Sequence, residues 1–243
     1  MTSISVILPA WNEATRIGRV VARTRKQLAT MGVDFEIVVA DDGSSDGTAD
    51  AAEAVRAEVP ELKVVRLRPN RGKGEALRQG FAASRGELVF FLDADLDLPP
   101  EQMGVFLETM RAEDADVVIG SKWHPLSRIE YPWHRRLVSL VYFTLTRILF
   151  GLPVRDTQTG LKLFRREVLA RAMPRMLVKA FAHDLELLVI AHHFGYRIIE
   201  APVVVERTGK YSRISTQAMH ETGWDTLAVF YRLHVLGYYD EVS

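Results

Sequence analysis

Apolar runs that alternate with helical patterns dominate the first half of the chain. The runs cover residues 4–9, 35–41, 62–67, 87–93 and 115–121. Helical patterns follow the first four runs and begin near Glu13, Asp46, Lys73 and Pro100. Strands that are apolar throughout, each followed by a helix, are typical of a parallel sheet covered on both faces. The sequence therefore predicts an α/β fold with a mostly parallel sheet flanked by helices.

The second half of the chain predicts longer helices and fewer strands. A long apolar or amphipathic helix is expected from about Trp133 to Phe150, and a further helix across residues 181–194. A strand is expected within residues 196–207, and the tail over residues 216–239 has an amphipathic helical pattern. No repeat or linker divides the chain.

Charge and cysteine content exclude several classes of protein. The 243 residues include 31 Lys plus Arg and 31 Asp plus Glu, so no overall field favours nucleic acid as a partner. The absence of cysteine excludes disulfides and thiolate metal sites. Residues 1–16 lack the basic lead of a signal peptide, and the longest apolar stretch, residues 137–150, is shorter than the roughly 20 residues that span a bilayer. We therefore expect a cytoplasmic protein without a membrane-spanning segment.

Polar side chains collect where the predicted parallel strands end. In open α/β sheets, ligands bind beyond the carboxyl ends of the strands. Those ends carry Asn12 and Glu13, Asp41 and Asp42, Arg71 and Lys73, and an aspartate triplet made of Asp93, Asp95 and Asp97. We therefore expect a binding site at this edge of the sheet.

The aspartate triplet has two interpretations. The three residues can simply form caps and turns before Pro99 and Pro100. Alternatively, residues at every second position of a strand share a face, so at least two carboxylates converge and repel each other. A divalent cation relieves that repulsion, and magnesium usually takes one or two carboxylates plus substrate phosphates. The second interpretation predicts a metal–diphosphate site.

Two loops near the same edge also allow a structural and a functional interpretation. In residues 38–48, Ser45 or Asp46 suits a helix cap, whereas Asp41 and Asp42 suit hydrogen bonds to a nucleotide. In residues 69–80, Arg71 and Lys73 suit either a solvated loop or a diphosphate at a helix N-terminus.

Seven motifs follow one another along the chain: VILPAWNEA, VVADDGSSDGT, NRGKGEALRQG, FFLDADLDLPP, VIGSK, RDTQTGLKLFRREVL and FAHDLELLVIA. In this order they resemble the motifs of family 2 glycosyltransferases with the GT-A fold. The last two are similar to those of dolichyl-phosphate β-glucosyltransferases and dolichyl-phosphate mannose synthases. The resemblance covers residues 4–213 and implies a Rossmann-like GT-A domain over residues 1–213, with a nucleotide-binding half (1–121), an acceptor half (122–213) and a C-terminal helical tail (214–243).

Residue by residue, the resemblance implies a donor site and a metal site. The residues matched to donor binding are Pro9, Ala10, Asn12, Glu13, Asp41, Asp42, Lys73, Asp93, Ala94 and Asp95. Asp93 and Asp95 form the DXD motif that binds Mg²⁺ or Mn²⁺, with Asp95 the main ligand. Asp97 stands where the mannose synthases carry a glutamine ligand.

The implied reaction moves a hexose, with inversion, from a nucleotide diphosphate sugar to a polyprenyl phosphate. UDP-glucose is the first expected donor and GDP-mannose the second, and the protein is expected on the cytoplasmic face of the membrane as a peripheral protein. Holding two anions close together requires cations, which the second half supplies as Lys122, Arg135, Arg136, Arg207 and Arg213. At the end of the motif region, Lys210 competes with Arg213 for the matched position, and the oligomeric state stays open.

The helix that begins with the basic turn Arg135–Arg136 suits a phosphate head followed by an apolar tail. Acidic residues normally favour a helix N-terminus, so this basic turn is unusual. The alternative is an ordinary core helix with a basic first turn.

Two segments offer a general base, if the acceptor requires one. Asp156 lies in the segment expected to face the acceptor and is the preferred candidate, whereas Asp184 and Glu186 match the position of an acidic base in other family 2 enzymes. In the structural interpretation, Asp156 caps a turn and Glu186 pairs with an arginine. The histidines, including His183, are expected to be structural or exposed.

Three alternative functions remain from the sequence. A glycosyltransferase of the same fold can act on a soluble hydroxyl acceptor or a glycan. A sugar nucleotidyltransferase is less favoured because the chain lacks an N-terminal glycine-rich phosphate loop, and a non-catalytic nucleotide-sugar-binding module is disfavoured by the intact metal and phosphate residues.

Overall fold

The structure, a computed structural model, describes residues 2–128, 133–179, 182–206 and 216–241, with the backbone alone for 133–138 and 216–219. Within these residues seven strands form one sheet. They are β1 (Ser3–Ala10), β2 (Asp34–Asp41), β3 (Leu62–Arg66), β4 (Leu88–Phe91), β5 (Val117–Ser121), β6 (Lys162–Arg165) and β7 (Ile198–Pro202).

The helices of the described residues lie between these strands and after the last one. They are α1 (Ile17–Thr30), α2 (Thr48–Ala54), α3 (Lys73–Ala83), α4 (Met103–Ala112), α5 (Trp133–Phe150), α6 (Arg166–Ala172), α7 (His183–His193), α8 (Thr216–His234) and α9 (Tyr238–Glu241). Short 3₁₀ turns cover Pro100–Gln102 and Met173–Arg175. None of the helices in the described part of the chain is long and apolar enough to cross a bilayer.

The strand order is β3-β2-β1-β4-β6-β5-β7. All neighbouring strands run parallel except β6, which is antiparallel to both β4 and β5. The prediction of a mostly parallel sheet flanked by helices is therefore confirmed. β6 was not predicted, because its four residues contain Lys162 in place of a continuous apolar run.

Alternating side chains of the strands build a core on each face of the sheet. Val6 and Leu8 of β1 pack on the face that carries α1 and α4, whereas Ile7 packs on the opposite face with Leu77 of α3 and Leu187 of α7. Burial on both faces explains why β1 and β2 are apolar at consecutive positions.

Several predicted boundaries are corrected by local chemistry. α1 begins at Ile17 rather than near Glu13, because Glu13 lies in a turn whose carbonyl accepts hydrogen bonds from the N–H groups of Arg16 and Ile17. β4 ends at Phe91, so the aspartate triplet lies in the following turn and not on a strand. The expectation that strand alternation brings these carboxylates together is therefore wrong. α3 begins at Lys73 and α5 spans Trp133–Phe150, as predicted.

Candidate active site

A cleft of about 560 Å³ opens at the carboxyl ends of β1, β2 and β4. Predicted site residues that line it are Pro9, Ala10, Glu13, Asp42, Lys73, Asp93, Ala94, Asp95 and Asp184. Sequence reasoning did not select Trp11, Asn70, Gly72, Ala76, Gln158 or His183, which line it as well. The cleft lies where parallel sheets normally bind ligands.

Two loops at the start of the cleft are joined by hydrogen bonds. The backbone N–H of Asn12 donates to Ser44 Oγ at 2.9 Å, and Asn12 Oδ1 accepts from the backbone N–H of Ser45 at 3.0 Å. Asn12 holds a left-handed backbone, with φ of 57°. Asp46 accepts the backbone N–H of Thr48, the first residue of α2, at 3.0 Å, but the N-cap residue is Gly47 rather than the expected Ser45 or Asp46. Asn12 therefore shapes the loops and does not itself line the cleft.

Asp42 ties the end of β2 to the loop before α3. Its two carboxylate oxygens accept the backbone N–H groups of Arg71 and Gly72, each at 2.8 Å, and the residue is buried. Asp41 is also buried and accepts a long hydrogen bond from the backbone N–H of Ser44. Asp42 lines the cleft, so it both anchors a loop and offers a surface to a ligand.

The aspartate triplet forms a crowded group of carboxylates in the turn after β4. The backbone N–H of Asp97 donates to Asp95 Oδ1 at 3.0 Å. Burial, and next the charge of Asp93, raise the pKa of Asp95 to about 6. The described residues contain no group of three His, Cys, Asp or Glu side chains arranged to hold a metal ion. The raised pKa of Asp95 nevertheless fits a site for a divalent cation that one or two carboxylates share with a diphosphate.

Lys73 lies directly opposite this turn as the first residue of α3. Its Nζ atom is 2.5 Å from Asp93 Oδ1. Burial acts to lower the pKa of Lys73, but the carboxylates of Asp93 and Asp184 outweigh it and hold the pKa above its usual range. Lys73 is therefore a fixed positive charge in the cleft at neutral pH.

A buried ion pair joins Lys162 to Asp184, which lines the cleft. Lys162 Nζ lies 2.6 Å from Asp184 Oδ1 and donates to the carbonyl of Thr159 at 2.6 Å. Burial acts to raise the pKa of Asp184, but His183, Lys162 and Lys73 hold it well below its usual range. Asp184 therefore stays ionised. The sequence signal for Lys162 is a single lysine inside the apolar stretch LKLF.

The other two candidate carboxylates, Asp156 and Glu186, are held by hydrogen bonds within the fold. Asp156 accepts the hydroxyl of Thr159 at 2.7 Å and the backbone N–H groups of Gln158 and Lys122, each at 3.2 Å. It is buried and outside the cleft lining, which matches the alternative that it caps a turn. Glu186 is completely buried and bonds Arg232, as the structural interpretation expected.

The predicted cations of the acceptor half are only partly described. Lys122 is half-buried and its Nζ lies 3.5 Å from Asp156. The side chains of Arg135 and Arg136 lie outside the described residues, as do Arg207, Lys210 and Arg213 entirely. Their roles stay predictions.

The sheet, with its one antiparallel strand and a carboxylate-lined cleft at its carboxyl edge, defines a GT-A-like α/β transferase fold. Solved structures confirm the fold. Glucosyl-3-phosphoglycerate synthase from Mycobacterium tuberculosis, crystallised with Mn²⁺, UDP and phosphoglyceric acid, superposes with a TM-score of 0.72 at 23% identity, over 95% of this chain and 78% of that one. Mannosyl-3-phosphoglycerate synthase from Rubrobacter xylanophilus gives 0.71 at 17% identity, over 96% and 74%.

The chain belongs to glycosyl transferase family 2, whose model matches residues 5–172. It is 33% identical to glycosyltransferase AglD of Haloferax volcanii over 85% of this chain, and spans 33% of the length of AglD. It is 32% identical to a dolichyl-phosphate beta-glucosyltransferase of Trichomonas vaginalis, over 95% of this chain and 74% of that protein. A dolichyl-phosphate beta-glucosyltransferase of Dictyostelium discoideum is 29% identical, over 82% and 65%. The family resemblance found in the sequence is thus confirmed.

Proposed function

We propose that the protein is an inverting hexosyltransferase that moves glucose from UDP-glucose to a polyprenyl phosphate. The observation that carries the proposal is the convergence of Lys73, Asp93, Asp95 and Asp184 in one cleft at the carboxyl edge of the sheet. Relatives at 32% and 29% identity that are dolichyl-phosphate beta-glucosyltransferases support glucose and a polyprenyl phosphate. GDP-mannose is the second candidate donor.

Asp95 and Asp93 would hold Mg²⁺ or Mn²⁺, and oxygen atoms of the donor diphosphate would complete the coordination. The expectation that Asp97 is a third ligand is not met, because the three carboxylates are not arranged around one point. When bound, the cation neutralises charge that develops on the leaving diphosphate. The structural neighbour crystallised with Mn²⁺ and UDP supports a divalent cation and a uridine nucleotide. Lys73 adds a further positive charge beside the diphosphate.

The acceptor attacks through a phosphate oxygen. That oxygen forms a bond to the anomeric carbon of the sugar while the bond from this carbon to the nucleoside diphosphate breaks, and the diphosphate keeps the electron pair. A phosphate monoester has a second pKa of about 6, so it is largely ionised at neutral pH and requires no base. We assign Asp184, which lines the cleft, to contacts with the sugar, and the cations Lys122, Arg135, Arg136, Arg207 and Arg213 to the acceptor phosphate.

Exposed apolar side chains on α5 and α8 support contact with the membrane surface, where a polyprenyl phosphate resides. The helices pack together, with the rings of Phe150 and Phe230 6.3 Å apart. On α5, Ile148 is 76% exposed and shares a face with Val141 and Leu145. On α8 the exposed apolar side chains are Trp224, Leu227 and Tyr231. Exposed apolar helix faces with aromatic residues are typical of proteins that bind the membrane surface. We propose that this protein is a peripheral protein of the cytoplasmic face of the membrane.

One assay tests the reaction. Purified protein is incubated with labelled UDP-glucose or GDP-mannose, Mg²⁺ or Mn²⁺, and dolichyl or undecaprenyl phosphate in detergent. We expect label from UDP-glucose to enter the butanol phase, and excess chelator to abolish the transfer.

Asp95→Asn should lower turnover by about 10²–10³-fold because it weakens charge stabilisation at the diphosphate. Asp114→Asn is the matched control, because the side chain of Asp114 is 97% exposed at the surface. Label that appears only in water-soluble products would support the soluble-acceptor alternative. Full activity in excess chelator, or no transfer from either donor, would refute the proposal.

A further inference from the structure

The ion pair between Lys73 and Asp93 occupies the part of the cleft that the proposed function gives to the donor diphosphate. Lys73 opens α3 and Asp93 follows β4, and both line the cleft. Their side chains are 36% and 30% exposed, so a ligand that enters the cleft can reach both groups.

Asp93 is confined on its other side by Gly160. A Cβ atom at position 160 would overlap the carboxylate of Asp93, so the two residues are in close contact. Asp93 therefore cannot turn toward Gly160 to leave Lys73, and a cation that binds Asp93 has to share it with Lys73 or displace Lys73.

The acidic residues of the described chain do not complete a metal site by themselves. No three His, Cys, Asp or Glu side chains among them are arranged around one point. Magnesium and similar cations usually complete their coordination with substrate phosphates. A cation without the donor would thus meet few protein ligands, one of which is already paired with a lysine.

We propose that Lys73 and the divalent cation exchange at Asp93 in step with donor binding. Without nucleotide, Lys73 neutralises Asp93 and keeps metal affinity low. When the donor enters, its diphosphate gives Lys73 a second anionic partner and gives the cation its missing oxygen ligands. Metal and nucleotide then bind cooperatively, and Lys73 sets the size of the coupling. This inference rests on the proposed function, because it requires a nucleotide diphosphate and a divalent cation in the cleft.

The test measures Mn²⁺ binding by the electron paramagnetic resonance signal of free Mn²⁺, with and without UDP. Lys73→Met should bind Mn²⁺ about two- to fivefold more tightly than wild type when UDP is absent, as expected for removal of a partly exposed ion pair. UDP should tighten Mn²⁺ binding less in this variant than in wild type. Lys179→Met is the control, because Lys179 is an exposed lysine beside the N-terminus of α3 whose backbone carbonyl accepts from Gly74.

A second comparison separates competition at Asp93 from general repulsion between cations. In an Asp93→Asn background, Lys73→Met should give no gain in Mn²⁺ affinity, since the shared carboxylate is gone. Lys73→Arg keeps the charge and should resemble wild type, and circular dichroism checks that every variant is folded.

The possible results point to different failures. Unchanged or weaker Mn²⁺ binding by folded Lys73→Met, or an equal gain in the Asp93→Asn background, overturns the exchange alone. Wild-type protein that binds neither UDP nor Mn²⁺ would refute the proposed function together with the exchange.

Discussion

Replacing Lys162 with methionine removes the buried cation that pairs with Asp184, a residue of the cleft lining. Lys162 is 1% exposed, and its ammonium donates hydrogen bonds to interior oxygens of Asp184 and Thr159, at 2.6 Å each. Methionine has a similar length, so the change removes charge and hydrogen bonds with little change in volume. Asp184 is left as a buried carboxylate whose other nearby basic groups are His183 and Lys73.

The expected cost follows from the burial of both partners. Removal of one partner of a buried ion pair costs about 3–5 kcal/mol, because the remaining charge is not compensated. In a chain of this size each kcal/mol lowers Tm by roughly 2–4 °C, so a decrease of about 6–20 °C is expected. The double variant Lys162→Met/Asp184→Asn removes both charges and should recover at least about 1 kcal/mol of that loss.

Urea denaturation followed by circular dichroism measures these free energies. Arg66→Met serves as the control, because Arg66 pairs with Asp50 at the surface and should cost less than about 1 kcal/mol. The folded-state pKa of Asp184 lies below its usual value of 3.8, so its stabilising contribution is complete above about pH 4 and is lost as the pH falls below that. That acid-dependent loss should be smaller in Lys162→Met. A cost below about 1 kcal/mol for Lys162→Met, or a double variant as unstable as the sum of the single ones, would refute the reasoning.

Two further predictions concern carboxylates outside this pair. Asp42→Ala leaves the backbone N–H groups of Arg71 and Gly72 without their acceptor, so calorimetry should find the affinity for UDP lowered by about tenfold. Asp42→Asn keeps one acceptor oxygen and should lose less affinity. Unchanged affinity in Asp42→Ala would show that this loop does not contribute to nucleotide binding. Glu36 is buried, and although burial acts to raise its pKa, bonds from Lys63, Ser5 and the N–H of Arg85 lower it below 4.5. The stabilisation that ionised Glu36 contributes is complete above about pH 4.5 and is lost below it. Glu36→Gln should therefore lower the free energy of unfolding, measured in urea, by about 1–3 kcal/mol at pH 7 and by clearly less at pH 3. An equal decrease at both pH values would contradict the lowered pKa of Glu36.

The fold was predictable from the sequence because each parallel strand carries its own signal. β1 and β2 are buried on both faces, so their apolar runs report strand position and sheet type together. β6 gave no such signal, because its four residues, KLFR, form neither a continuous apolar run nor an alternation of apolar and polar residues. Its antiparallel direction follows from the pairing with β4, which local sequence does not encode.

The position of the cleft was also predictable, but the roles of its carboxylates were not. Asp42, Asp93 and Asp95 were selected because they follow strands, and all three line the cleft. The sequence favoured Asp156 over Asp184 as the carboxylate that faces the acceptor, because of the segment in which Asp156 lies. Hydrogen bonds within the turn of residues 156–159 occupy Asp156, whereas α7 directs Asp184 into the cleft. Only the packing of the chain separates these two cases.

Four charged groups connect the interior of the sheet to the cleft, in the order Lys162, Asp184, Lys73 and Asp93. Lys162 Nζ lies 2.6 Å from Asp184 Oδ1, and Lys73 Nζ lies 2.5 Å from Asp93 Oδ1. The charges of Lys73 and Asp184 also interact. Lys73 and Asp93 reach this place by the rule that parallel strands end at one edge. Lys162 and Asp184 come from an antiparallel strand and a later helix, whose positions that rule does not fix. The strand-end pattern that located the cleft therefore did not predict Lys162, the buried lysine that pairs with the cleft residue Asp184.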